Sequence, residues 1–262
     1  KELIEMYSVT GGVPKYIELF SECDDIYSAI RQNVLNTSGY LYDEPHFLLQ
    51  QEVSEIGSYF SLIKAIAAGN SKLSAIATVL ETKTTNLTKY LKTLIDLDII
   101  EREVPVTEDN PEKSKRGLYR IKDNYIKFWF AFVYPNMSFL ESGNTEIVMS
   151  KIRKGFVSNQ IAFVYEDICR EKMWRLSAEG VWDFHFSKIG RYWDSKVEID
   201  IAALDSDGKN LILGECKYWT EPVGVNILKD LERKAESVTW ESGRRKTNYV
   251  LFSISGFTPE LE

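Results

Sequence analysis

The sequence predicts an α+β chain: a helical first half closed by a β-hairpin, then a domain of α/β order built on a mixed sheet. Three observations carry this. Apolar residues recur at helical spacing across Val53–Ala67, Leu73–Leu80 and Leu87–Leu97. Behind them "IIEREVPV" and "LYRI" alternate as strands around the charged turn "TEDNPEKSKRG". Toward the C-terminus the patterns run helix, three strands, helix, strand, which is the order of a sheet covered by helices.

The opening stretch, "MYSVTGGVPKYIELF", turns at Gly11-Gly12 and Pro14 between helical patterns, and Asp25–Leu35 is amphipathic. Residues 1–44 are too few to build a substantial core alone, so they read as the helical tail of something larger or as an arm packed on the rest. Residues 45–122 hold the three helices and the hairpin. "ETKTTNL" breaks the second helix from the third, and Thr84 or Thr85 is placed to cap the third. Three helices followed by a hairpin is the winged helix-turn-helix pattern. The aromatic run "KDNYIKFWFAFVYPN", within 123–140, reads as a connecting helix whose rings serve packing. Residues 141–262 form the last domain: a long helix at Ile152–Leu176, "WDFHFSKIGRYW" as strand and turn, two further strands, a helix at Asn226–Val238, and "NYVLFSIS" as the closing strand.

With 262 residues, 44% hydrophobic and 27% charged, the chain has room for two domains and the make-up of an ordinary soluble globular protein. A net charge of −7 excludes a surface that is basic throughout, so any nucleic-acid contact rests on a local patch. Cys23, Cys169 and Cys216 are widely spaced, which excludes a zinc ribbon or disulfide framework and fits a reducing cytoplasm. The most apolar run, "YIKFWFAFVY", contains Lys127 and is too short to span a bilayer, so no membrane partner is expected. A first residue of Lys rather than Met fits a fragment or a processed chain.

Chemistry concentrates in "KVEIDIAALDSDGKNLILGECKYW". "DSDGKN" offers an Asp-Gly turn, so the flanking strands pair antiparallel. Side chains alternate along a strand, and the turn brings Asp200 back beside Glu215, with Lys217 next to both. Two carboxylates at one place repel unless a proton or cation intervenes. Mg²⁺, or Mn²⁺ in its place, takes one or two carboxylates and leaves room for water and phosphate oxygens. An Asp followed by Glu-x-Lys on the next strand therefore suits metal-dependent phosphodiester cleavage, with the lysine steadying negative charge. The competing reading is a structural ion-pair cluster. Glu198 reads as a flanking strand residue, and His46 and His185 as ordinary lone histidines.

Asp200 with Glu215-Cys216-Lys217 resembles the PD-(D/E)xK motif of the restriction-endonuclease-like superfamily. That resemblance implies that Asp200 and Glu215 bind the metal, that the Cys216 carbonyl adds a ligand, and that Lys217 assists the water. It also implies a Glu on the preceding helix, and Glu166 in "VYEDICR" stands there; the competing reading is a solvated helix acid. "YSVTGGVPKYIELF", "YRIKDNYIKFWFAFVYPN", "GECKYW" and "FSISGFTPEL" together look like the C-terminal half of prokaryotic AAA-type ATPases carrying a DUF234 domain. This second resemblance covers nearly the whole chain. It implies a winged helix, then a restriction-endonuclease-like domain, with the missing ATPase domain of the same protein as an N-terminal partner whose helical tail is residues 1–44. ATP belongs to that domain, since no GxxxxGK[ST] loop occurs here.

DNA is the partner expected. Lys83, Lys89 and Lys92 on the third helix and Lys113, Lys115 and Arg116 in the wing supply cations for phosphates, and "GRRKT" supplies a further basic run. Acids such as Asp96, Asp98, Glu101 and Glu108 dilute that charge, so the other reading is a solvated face bridging domains. The leading expectation is thus a Mg²⁺-dependent deoxyribonuclease region of a cytoplasmic ATPase. The alternatives are a catalytically inactive DNA- or partner-binding module that regulates the ATPase, and an interaction scaffold with no nucleic-acid role. Homo-oligomerisation stays open.

Overall fold

The computed structural model describes residues 1–262. It is a mixed α and β chain with a two-stranded and a four-stranded sheet, and its residues form two compact units. No helix is long and apolar enough to cross a membrane.

The first unit comprises residues 1–103 and 117–161. Helix α1 (Glu2–Thr10) ends on Gly11, whose φ of 60° lets its N–H close back on the Tyr7 carbonyl at 2.9 Å. Pro14 then opens α2 (Pro14–Ser21), where a missing N–H does no harm. Asp25 caps α3 (Ile26–Ala29) by accepting from the Tyr27 and Ser28 N–H groups at 2.8 and 2.9 Å. The aromatic run read as a connecting helix lies in this unit's core. It forms α8 (Asn124–Phe128) and a wider π turn over Trp129–Val133. Tyr125, Phe128 and Trp129 are fully enclosed, and the Trp129 indole N–H reaches the Tyr42 carbonyl at 2.6 Å. Burying such rings requires their polar edges to find partners, and the Tyr125 hydroxyl likewise donates to the Leu41 carbonyl.

Within the same unit, α4 (Glu44–Glu52), α5 (Ile56–Ala67), α6 (Leu73–Val79) and α7 (Thr84–Asp96) precede β1 (Ile100–Glu103). Leu62, Ile63, Ile76, Leu91 and Leu94 form their buried apolar faces. Strand β1 pairs antiparallel with β2 (Leu118–Ile121), Ile100 lying opposite Ile121. Neither threonine caps α7: the helix begins at Thr84, and Lys83, which cannot accept a bond, takes the cap position. Helices α9 (Met137–Glu141) and α10 (Thr145–Phe156) also pack here, so the domain boundary read at residue 141 is not where packing divides the chain. The long helix read across Ile152–Leu176 is instead α10, a π turn over Val157–Ile161, and α11 (Ala162–Ala178). The division falls at that turn.

The second unit comprises residues 104–116 and 162–262. Strands β3 (Phe186–Trp193), β4 (Glu198–Asp205), β5 (Asn210–Lys217) and β6 (Lys246–Ser253) lie side by side in that order. The first three are antiparallel, while β5 and β6 run parallel, joined through α12 (Val225–Ala235). The β4–β5 turn is fixed by Asp205, whose carboxylate accepts the Lys209 N–H at 3.0 Å and the Asn210 amide at 2.7 Å, and by Gly208 at φ 70°. Ile199, Leu204, Leu211, Leu213 and Leu231 make the apolar core between this sheet and α12. The hairpin loop 104–116 belongs to this unit: the Val106 N–H bonds to the Arg191 carbonyl at 2.9 Å.

Candidate functional site

Strands β4 and β5 pair from Ile201 opposite Gly214 to Leu204 opposite Leu211. One residue beyond that ladder stand Asp200 and Glu215, so the register alone sets them side by side. The Lys217 ammonium lies 3.5 Å from Asp200 Oδ2 and bonds to Glu215 Oε2. Asp200 Oδ2 also accepts the Cys216 N–H at 2.9 Å, which holds that carboxylate against β5. Glu215 is 4% exposed, and such a carboxylate must be neutralised where it sits. Its second oxygen, Oε1, meets the ammonium of Lys234 from α12 at 2.6 Å. Burial alone would lower the Lys217 ammonium's pKa. The charge of Asp200 and the bond to Glu215 outweigh it, so the net displacement is upward and the lysine stays charged.

Glu166 reaches the site from α11. Burial first, then the charge of Asp200, push its carboxyl up to about 7, and Arg191 and Arg170 offset this only in part. Those guanidiniums lie 4.0 and 3.8 Å from Glu166 Oε2. Arg170 also donates to the Asp200 carbonyl at 3.0 Å and pairs with Asp167, while Arg191 pairs with Glu198. Cys216 turns its thiol away from Glu215: a hydrogen bond with Cys169 first, and burial second, hold it protonated far above the usual thiol range. Both thiols are buried and free, which suits packing rather than nucleophilic work.

The structure thus brings together Asp200, Glu215, Lys217 and Glu166, with the Cys216 backbone between them. No three or more Asp, Glu, His or Cys side chains are arranged to hold a metal ion among themselves. Asp200 and Glu215 instead converge on the ammonium of Lys217; paired carboxylates are the kind of oxygen donor that a hard divalent cation takes, its other positions filled by water and phosphate oxygens. Sequence reasoning did not reach Lys234, Arg170 and Arg191. Arg170 had a signal, four residues after Glu166 on one helix face. Lys234, nineteen residues from its partner, had none.

The candidate DNA contacts fall in different settings. Lys83, Lys89 and Lys92 are exposed along α7, beside exposed Thr84, Thr85, Asn86 and Thr88. Lys115 is exposed, but Arg116 is engaged: it pairs with Glu108 and donates to the Trp193 carbonyl at 3.3 Å. In "GRRKT", Arg245 turns inward to the carbonyls of Val238, at 2.8 Å, and Trp240, leaving Arg244 and Lys246 exposed. His185 is exposed, and His46 lies 3.8 Å from Asp43.

Comparison with known proteins shows what this part of the chain is similar to. Over 241 residues the chain is 34% identical to the uncharacterized protein MJECL04 of Methanocaldococcus jannaschii. The match takes in 91% of this chain and 53% of that protein, so the chain spans about half the relative's length. No solved structure matches. Residues 129–235 match the DUF234 family, described as archaeal and bacterial proteins of unknown function. The stretch that carries Glu166, Asp200, Glu215, Lys217 and Lys234 is therefore similar to DUF234 proteins.

Proposed function

We propose that the second unit is a restriction-endonuclease-like domain that hydrolyses phosphodiester bonds of DNA with Mg²⁺ or Mn²⁺. One observation carries the reading: carboxylates from two adjacent strands, Asp200 and Glu215, meet at the ammonium of Lys217. Asp200, Glu215 and the Cys216 carbonyl are the groups that would hold the ion. When bound, such an ion lowers the pKa of a water and neutralises charge on a phosphoryl group. Lys217, kept charged by its two acids, orients the attacking water and offsets charge developing on the phosphate. Glu166, poised near neutrality, is the group able to take a proton from that water.

The first unit supplies the grip in this proposal. Helices α5 to α7 with the β1–β2 pair act as a winged helix, α7 presenting Lys83, Lys89 and Lys92 to the DNA backbone; Lys115 and Arg116 of the wing belong to the second unit, where Arg116 is held by Glu108. An N-terminal ATPase domain of the same protein is the expected partner, on the resemblance of the blocks that run from Tyr7 to Leu261.

A second reading is favoured by one specific feature. Both oxygens of Glu215 are already neutralised by lysines, as in a site that has become structural. In that case the chain is a DNA- or partner-binding module without turnover. The two separate in one assay with plasmid or branched DNA and Mg²⁺ or Mn²⁺. Hydrolysis by the wild type, lost in a folded Lys217→Ala variant, supports the nuclease. Intact DNA with both metals, together with no metal uptake by calorimetry, leaves the inactive module.

A further inference from the structure

The four-stranded sheet treats its two outer edges differently. Along β3 the register shifts twice, between Phe186 and Lys188 and between Gly190 and Tyr192, and the Val106 N–H covers the Arg191 carbonyl at 2.9 Å. Bulges and a cover of that kind keep a strand edge from pairing with another chain. Strand β6 has neither. It pairs with β5 in unbroken register from Lys246 to Ser253, and it holds no proline and no charge after Lys246. Even positions of its backbone face β5: the Lys246 N–H meets the Lys209 carbonyl at 2.7 Å, and the Ile254 N–H meets the Lys217 carbonyl at 3.3 Å. Alternation then turns the N–H and C=O of Thr247, Tyr249, Leu251 and Ser253 outward, and no group of the chain bonds to them.

We propose that β6 is a self-association edge, on which β6 of a second copy pairs antiparallel so that one sheet runs through both molecules. Charge selects this occupant. At the N-terminal end of β6 the exposed cations Arg244 and Lys246 outnumber Glu241, while exposed Glu221, Glu260 and Glu262 flank the Val223–Phe257 bridge beyond its C-terminal end. A two-fold axis reverses one copy against the other, so each basic end meets an acidic one. The pairing that joins all four outward residues sets Thr247 opposite Ser253 and Tyr249 opposite Leu251, with Val250 on the axis. An aromatic ring then faces an aliphatic side chain across the seam, and no like charges oppose each other along the strand. The sheet needs no rearrangement for this, because the edge already presents its donors and acceptors.

Two measurements on the full chain test this. Sedimentation equilibrium across about a hundredfold range of concentration should show a monomer–dimer equilibrium for the wild type. Tyr249→Lys replaces an exposed ring and sets two ammoniums diagonally across the seam. It should weaken the dimer about tenfold or more, with circular dichroism and the urea midpoint at wild-type values. Amide exchange, read residue by residue by NMR, is the second measurement. The amides of Asn248, Val250 and Phe252 should be protected at every concentration, and those of Thr247, Tyr249 and Leu251 should gain protection only as the dimer forms. A wild type that stays monomeric overturns the proposal. So does a dimer in which the Thr247, Tyr249 and Leu251 amides exchange as fast as in the monomer, or a folded Tyr249→Lys variant that dimerises as the wild type does. Should that variant unfold, the exchange pattern of the wild type still decides.

Discussion

Replacing Glu166 with Gln should stabilise the protein at alkaline pH and leave it unchanged in acid. The carboxyl is displaced from an ordinary 4.5 to about 7 by burial and by Asp200. Between those values the folded chain retains a proton that the unfolded chain has already released, so stability falls as pH rises through the window. Two and a half pH units at about 1.36 kcal/mol each give about 3 kcal/mol lost by pH 8. Gln mimics the protonated acid and carries no charge toward Asp200, so Glu166→Gln recovers most of that amount at pH 8 and nothing at pH 4. Urea unfolding of both proteins at the two pH values reads the difference directly, and carboxyl NMR of the wild type reads the titration itself. A difference between variant and wild type that is the same at pH 4 and pH 8, or a Glu166 carboxyl titrating near 4.5, would refute the electrostatic account of the site.

Two further outcomes are expected. Gly214→Ala in the centre of the sheet should lower the urea midpoint by the equivalent of about 2 kcal/mol, because the added Cβ would sit 2.7 Å from Val250 Cγ1 and 3.0 Å from the Val250 carbonyl oxygen; an unchanged midpoint would mean that β5 and β6 are not packed as described. The triple change Lys83→Ala, Lys89→Ala, Lys92→Ala should make the salt dependence of DNA affinity shallower, by about 0.9 in the log–log slope for each phosphate that α7 no longer neutralises. A gel-shift series at several salt concentrations measures this, and an unaltered slope excludes α7 from the interface.

How much is legible depends on how local the determining physics is. The pairing of Asp200 with Glu215 can be read because an Asp-Gly turn sets the register and strands alternate with a period of two. The α7 face is legible for the corresponding reason, since Leu87, Leu91 and Leu94 fix which side is buried and hence where Lys89 and Lys92 point. The cap of α7 is not. Thr84 is a good cap by type, yet the backbone turns helical one residue earlier than that role allows. Arg116 reads as a free cation because its partners, Glu108 across the loop and the Trp193 carbonyl, come together only when residues 104–116 join the second unit.

By itself the sequence determined the order of α5, α6 and α7 and their hairpin, the succession of strands in the second unit, and the convergence of two acids and one lysine. Those follow from periodicity and turn chemistry, which act over a few residues. Tertiary structure alone decided that Lys234 stands on Glu215, that Arg191 flanks Glu166, and that the aromatic run is enclosed in the core of the first unit. Each depends on the docking of a helix against a sheet or against other helices. That placement is set by the summed packing of many apolar side chains, such as Leu231 against Leu213, and no spacing in the chain encodes it.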